Sequence, residues 1–227
     1  MVKKIIISLG GSLVVPERNI LATKFILDFK KLILKFSKKY KFIIIVGGGK
    51  ICRFYQAEAS KKNINKKELD WIGIAASQLN AIFVKSFFGV KAQEKIFKSP
   101  LEKIKNNKKV VFGGGWKPGW TTDYVSVKVS QVNKIKEILN LTDVDYIYTK
   151  DPDKFKDSEP IKEINWLDYI KIVGTKHRPG GSHPFDPKAS LLAKKIGLKL
   201  ISINGYNLRA VENYLTGKKF IGTIIEL

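Results

Sequence analysis

Three β-branched runs in this chain each end in a glycine cluster. Residues 3–9 run into Gly10-Gly11-Ser12, residues 41–46 into Gly47-Gly48-Gly49, and residues 108–112 into Gly113-Gly114-Gly115. Between and after them the apolar spacing is helical. It predicts helices over 20–40, 50–59, 68–88, 122–132, 165–173, 187–196 and 207–215, and further strands over 199–203 and 220–225. In the helix over 68–88 the period places Trp71, Ile74, Ala75, Leu79, Ile82 and Phe83 on the buried face. Strands that alternate with helices argue an α/β fold whose mainly parallel sheet is covered on both faces. Neither an internal repeat nor a linker interrupts the 227 residues, so one domain is expected over 1–227.

In an open α/β sheet, ligands sit beyond the carboxyl ends of the strands. Glycines there let the backbone approach a ligand closely, and a helix that starts in such a turn favours an anion. Several glycine turns at one edge therefore point to several phosphates. The chain carries no G-x-x-x-x-G-K-[ST] loop, no G-x-G-x-x-G after a strand and no serine nucleophile elbow. His177 and His183 share one Gly/Pro-rich loop and have no metal-ligand spacing, so they read as exposed, and no metal site is expected from side chains alone. Cys52 is the single cysteine; it can form no internal disulfide and reads as a buried structural thiol in a reducing, cytoplasmic setting.

Charge narrows the partners. The formal net charge is +22, with 42 basic and 20 acidic residues. Only Arg18, Arg53, Arg178 and Arg209 are arginines; the remaining basic residues are lysines dispersed along the whole chain. Specific nucleic-acid readers lean on arginine forks, so the lysine excess reads as a solvated surface and nucleic acid is not expected as a partner. No apolar run approaches the roughly 18–20 residues of a membrane span, and the first ten residues read as a strand rather than a signal segment.

Five stretches recur in a familiar order: Ser8-Leu9-Gly10-Gly11-Ser12, Gly47-Gly48-Gly49-Lys50 before a helix carrying Arg53, Pro118-Gly119-Trp120-Thr121-Thr122-Asp123, the run from Thr142 to Pro152, and Phe185-Asp186-Pro187-Lys188-Ala189. In this spacing the chain resembles the amino acid kinase superfamily over nearly its whole length, and within it the archaeal-type UMP kinases. The resemblance implies an αβα sandwich about a sheet of about eight strands, a homohexamer, and transfer of the ATP γ-phosphoryl to UMP with Mg2+. It implies an acceptor site in the N-terminal part and an ATP site from about residue 134. By similarity Gly48, Asp70, Trp116, Lys117, Pro118, Gly119, Trp120, Thr121 and Thr122 hold UMP, with Asp70 on the ribose hydroxyls. Gly11, Ser12, Gly49 and Arg53 lie along the phosphates, and Thr142, Asp143, Tyr148 and Asp151 surround the ATP base and ribose.

Two departures stand out. Many relatives carry a lysine where Ser8 stands, and often an asparagine where Asp143 stands. A charged donor aimed at a transition state is worth about 2.7–4 kcal/mol, so another lysine must supply it. Lys50 sits on the phosphate turn, and Lys188 stands where several relatives carry a second catalytic lysine. Asp123 reads as the organiser of these lysines. Alternatives are a kinase of another small acceptor, such as isopentenyl phosphate, and a catalytically weak oligomeric nucleotide- or anion-binding protein of the same fold.

Overall fold

The computed structural model describes residues 2–17, 20–105, 107–174 and 184–227; the loop holding His177 and His183 lies outside them. In chain order the elements are β1 (Lys3–Leu9), α1 (Gly11–Val14), α2 (Thr23–Phe36), β2 (Tyr40–Val46), α3 (Gly49–Ser60), α4 (Lys66–Phe88), β3 (Val110–Gly113), α5 (Thr122–Asn133), β4 (Glu137–Thr142), β5 (Ile147–Tyr148), β6 (Pro160–Ile161), β7 (Glu163–Asn165), α6 (Trp166–Val173), α7 (Pro187–Lys195), β8 (Lys199–Asn204), α8 (Leu208–Leu215) and β9 (Thr223–Glu226).

Seven strands form one sheet in the order β3-β2-β1-β4-β8-β9-β7, while β5 and β6 pair antiparallel on their own. The mainly parallel sheet is as expected, with seven strands against the expected eight or so. All pairings in the main sheet are parallel except β8 with β9. The central strands are buried on both faces, as their unbroken β-branched runs require. Ile5, Ile7, Phe42 and Ile44 pack toward α2, α4 and α8. Ile6, Ile43, Ile45 and Ile138 pack toward α5, α6 and α7.

Three expectations need correction. The helix expected over 20–40 is α2, which stops at Phe36. Tyr40 instead opens β2, with its hydroxyl donating to Leu215 O at 3.0 Å. More consequentially, α4 is turned about its axis relative to the apolar period. Trp71, Leu79 and Ile82 are 43%, 64% and 49% exposed, whereas Ile74, Ser77, Asn80, Ala81 and Val84 are buried. The reason is chemical: Ser77 and Asn80 are needed against the glycine turns. The segment Lys66–Lys91 is long and apolar enough by composition to cross a membrane. Here it packs on α3, β2 and β3 as a helix of the fold. The last strand begins at Thr223 rather than near Phe220, which turns back onto Tyr214 at 5.3 Å between ring centroids.

Candidate active site

The sheet order reverses direction between β1 and β4: from β1 the chain proceeds outward to β2 and β3, and from β4 to β8. A crevice opens at such a switch point, beyond the strand ends. Gly10 lies there, its N–H donating to Leu141 O at 2.8 Å. The first two glycine turns face one another directly. A Cβ on Gly11 would stand 2.0 Å from Gly49 N, and Gly49 has φ +70 with its own Cβ position 2.6 Å from Gly11 O. Only glycine at both positions lets the turns touch.

The helices that start in these turns have no side-chain cap: α1 begins after Gly10 and α3 after Gly48. By contrast α4, α5, α6, α7 and α8 are each capped by a side chain, Asn65, Thr121, Asn165, Asp186 and Asn207. The start of α2, at Ala22, likewise has no side-chain cap, and Lys50 N in α3 donates to Val15 O at 3.3 Å; the other N-terminal N–H groups of α1 and α3 lie at the glycine turns, where an anion is favoured. Lys50 occupies the first turn of α3 and reaches Glu17 at 3.7 Å, a loose, exposed ion pair. Arg53 follows one turn later, also exposed.

Asp123 crosses the crevice from the first turn of α5. Its Oδ1 accepts from Ser8 Oγ at 3.1 Å, and its Oδ2 accepts from Asp186 N at 3.1 Å. It thereby ties the end of β1 to the start of α7. It lies in the first turn of α5 rather than at the cap, which is Thr121 with its Oγ1 accepting from Tyr124 N. Asp186 caps α7 through Ala189 N at 2.8 Å. Behind them the Tyr169 hydroxyl donates to Phe185 O, and burial first, then the charge of Asp123, raises that phenol well above its ordinary range.

The 116–122 loop hangs over this edge. Asp70 Oδ2 accepts from Gly119 N at 2.7 Å, so the carboxylate expected on a ribose also anchors the loop. Trp116 meets Trp120 edge-on at 4.8 Å, Trp120 meets Tyr124 at 4.6 Å, and the Lys117 ammonium lies over both tryptophans. Lys188, in the first turn of α7, lines a cavity of about 370 Å³ with Gly119, Trp120 and Tyr124. It therefore faces the loop, whereas Lys50 faces Glu17.

The sequence of the chain matches the amino acid kinase family over residues 3–204. The chain belongs to the amino acid kinase family. It is similar to the uridylate kinase of Thermoplasma volcanium, 31% identical with 100% of this chain and 99% of the relative covered. It is also similar to the uridylate kinase of Methanobrevibacter smithii, 29% identical with 97% of each covered. Its fold superposes on the crystal structure of uridylate kinase from Archaeoglobus fulgidus with a TM-score of 0.83 at 28% identity, over 98% of this chain and 99% of that one.

In this amino acid kinase the third glycine cluster does different work from the first two. A Cβ on Gly113 would strike the Phe97 ring at 2.1 Å, one on Gly114 the α4 backbone at Gln78 at 3.0 Å, and one on Gly115 Ser77 Oγ at 2.8 Å. Its glycines admit α4 and Phe97, and Gly115 N donates to Ser77 rather than into the crevice. Of the three glycine clusters at the strand ends, the third is thus taken up by α4 and Phe97.

Sequence reasoning missed the residues that hold these loops. Buried Asn80 donates through Nδ2 to Gly47 O at 2.9 Å and Gly48 O at 3.0 Å. Gln78 Nε2 donates to Gly115 O. It also missed the end of β8, where Gly205 N donates to Thr142 O at 2.8 Å and Tyr206 Oη to Ser12 O at 3.2 Å. Asn204-Gly205 at a strand end, with a helix cap at Asn207, repeats the pattern of the other turns and was legible as such. Thr142 ends β4 and Asp143 follows it, beside these residues. Burial and then Asp143 raise the Tyr206 phenol. Tyr148 stands on β5, and Asp151 folds the hairpin loop: it accepts from Asp153 N and pairs with Lys154, which holds its carboxyl below the usual range. Cys52 is buried, its thiol pushed up by burial, as expected of a structural residue.

Proposed function

We propose that this chain is a UMP kinase that transfers the γ-phosphoryl group of ATP to UMP, giving UDP and ADP. The observation that carries the reading is the pair of touching glycine turns at the switch point, with uncapped helix starts on one side and Asp123 on the other. Near-full-length similarity to uridylate kinases supports UMP as the acceptor.

In the reaction an oxygen of the UMP phosphate attacks the γ-phosphorus. The bond from that phosphorus to the β,γ-bridging oxygen breaks, and its electron pair leaves with ADP. Such a transfer needs alignment and charge neutralisation more than covalent help. Amides at Gly11, Ser12, Gly48 and Gly49 line the phosphates, and Arg53 and Lys50 add positive charge. Lys188 reaches the transferring group from α7. Asp123 holds the ends of β1 and α7 in register. Asp70 takes the ribose hydroxyls with the oxygen atom that Gly119 does not occupy, and the Trp116, Lys117, Pro118, Gly119, Trp120, Thr121 and Thr122 loop covers the uracil. Thr142, Asp143, Tyr148 and Asp151 border the ATP half, which begins near residue 134.

Mg2+ would neutralise the β- and γ-oxygens of ATP. Among the described residues no group of three His, Cys, Asp or Glu stands together. An ion carried mainly by phosphates and water needs one or two carboxylates, and Asp123 and Asp143 would be the candidates at this edge. The exposed stripe on α4 supports self-association, and the resemblance supports a homohexamer working in the cytoplasm. The test is ADP release with ATP, Mg2+ and a panel of UMP, CMP, dUMP, TMP, AMP and isopentenyl phosphate. Fast turnover with UMP is expected; turnover only with another acceptor overturns the reading.

A further inference from the structure

The segment that leads into α7 is held at three consecutive residues, each from a different element. Asn140 Nδ2 of β4 donates to Pro184 O at 2.9 Å, and Tyr169 Oη of α6 donates to Phe185 O at 3.1 Å. Asp186 N donates to Asp123 Oδ2 of α5 at 3.1 Å. The Phe185 ring is fully buried, its centroid 6.3 Å from that of Trp166. Asp186 then caps α7, and Lys188 stands in the first turn of that helix. The entry to α7 is therefore fixed before its first turn begins.

Of the three anchors, Asn140 is the one that packing does not explain. It sits on β4, between β1 and β8 in the middle of the sheet, and is 3% exposed. Asparagine is depleted in strands, and a buried amide costs free energy unless it is hydrogen-bonded. Two residues earlier on the same face stands Ile138, in one apolar cluster with Ile6 and Leu200. A branched apolar side chain at 140 would extend that cluster. Tyr169, by contrast, also packs its ring against Trp166. Asn140 is in register with Ser8 on β1. Ser8 bonds Asp123, and Asp123 bonds Asp186 N. Paired residues of two adjacent strands thus reach one three-residue segment, Asn140 directly and Ser8 through Asp123.

We infer that Asn140 is a positioning residue for phosphoryl transfer: by holding Pro184 O it sets the start of α7, and so the place from which the Lys188 ammonium reaches the transferring group. The inference rests on the kinase reading and deepens it. Asn140 acts through the helix that carries Lys188 rather than by contact with either substrate. Displacing a group that acts on the transition state by about 1 Å costs on the order of 10² in rate. The helix itself stays formed, because its cap is Asp186.

The experiment is a double-mutant cycle in the full chain with Asn140→Leu and Lys188→Ala, read by ADP release with ATP, Mg2+ and UMP. Asn140→Leu is expected to lower kcat about 10²-fold while the KM for UMP stays within about twofold. In the Lys188→Ala background the same change should alter kcat by less than about twofold. Additive losses, or full kcat in either single variant, overturn the proposal. The urea midpoint of Asn140→Leu should be no lower than that of the parent chain, since leucine suits this face. A kcat loss that comes with a lowered midpoint marks a merely structural role and overturns it. Asn140→Ala, which cannot overpack the face, carries the same kinetic expectations should Asn140→Leu not fold. Ser202→Ala, in register on β8 and equally buried, is the control and should keep kcat within about twofold; a loss equal to that of Asn140→Leu overturns the proposal. Hydrogen exchange over residues 184–190 is read independently of activity. It should be about tenfold or more faster in Asn140→Leu, and unchanged exchange overturns the proposal. UMP turnover absent from the parent chain counts against the kinase reading alone, and the exchange result then decides whether Asn140 sets the start of α7.

Discussion

Ser8 Oγ donates to Asp123 Oδ1 at 3.1 Å, joining the end of β1 to the first turn of α5 across 115 residues of chain. A neutral hydroxyl therefore stands at the end of β1, and it is spent on orienting a carboxylate. Asp123→Asn should leave the fold intact but lower kcat by about 10²–10³, the scale of losing one oriented electrostatic partner. Steady-state kinetics check this, and an unchanged kcat removes Asp123 from the mechanism. Ser8→Ala loses a hydrogen bond to a charged group and should cost about 1.5 kcal/mol of stability by chemical unfolding.

With Ser8 neutral, the positive charge for phosphoryl transfer is expected from other residues. Lys188 faces the 116–122 loop across the cavity, while Lys50 is engaged with Glu17. Lys188→Ala is expected to lower kcat about 10²-fold with a smaller change in the KM for ATP, and Lys50→Ala to cost less. Full kcat in both variants would show that neither lysine neutralises the transferring group.

Asn80 holds the second glycine turn by two carbonyls. Its side chain touches the turn only from behind, so it positions rather than reacts. Asn80→Ala should raise the KM for UMP about tenfold while the KM for ATP stays within twofold. Asn80→Asp should be worse, because a carboxylate facing two carbonyls repels where an amide donates. Equal effects on both substrates would indicate a merely structural role.

The outer side of α4 carries Trp71, Leu79 and Ile82, all largely exposed. Contiguous apolar surface of this kind marks an interaction site. Leu79→Glu/Ile82→Glu is expected to reduce the assembly seen by analytical ultracentrifugation by at least one step. An unchanged assembly would place the contact elsewhere.

Cys52 lies between α3 and α4, against Gly48 and Gly73. Burial raises its pKa above the ordinary 9.0. The folded state thus favours the neutral thiol. Its contribution is fully present below the unfolded pKa and is lost as pH rises through the folded one. Stability measured by urea unfolding should therefore fall above about pH 9 in the parent chain and less so in Cys52→Ala. The native thiol should react with a disulfide reagent at pH 8 at least 10²-fold more slowly than in the urea-unfolded chain.

The fold class was legible because it depends on local pattern. Unbroken β-branched runs such as Phe42–Val46 belong to doubly covered parallel strands, and glycine turns at their ends mark the ligand edge. The caps at Thr121 and Asn207 are local too, since each acts on a backbone N–H three residues away. The orientation of α4 was not: its apolar period is nearly uniform, and the polar Ser77 and Asn80 determine its inner face only once loops 30 or more residues away are in place.

What the sequence by itself determined is the alternation of strand and helix, the glycine turns at the strand ends, and the acidic residue that follows Thr122. These follow from steric and hydrogen-bonding demands within a few residues. The tertiary structure alone decided that Asp123 answers to Ser8 and Asp186, that the third glycine cluster admits α4, and that Asn80 holds the second glycine turn. Each depends on strand order and register, which place side chains from distant parts of the chain within a few ångströms and carry no signature in any local stretch.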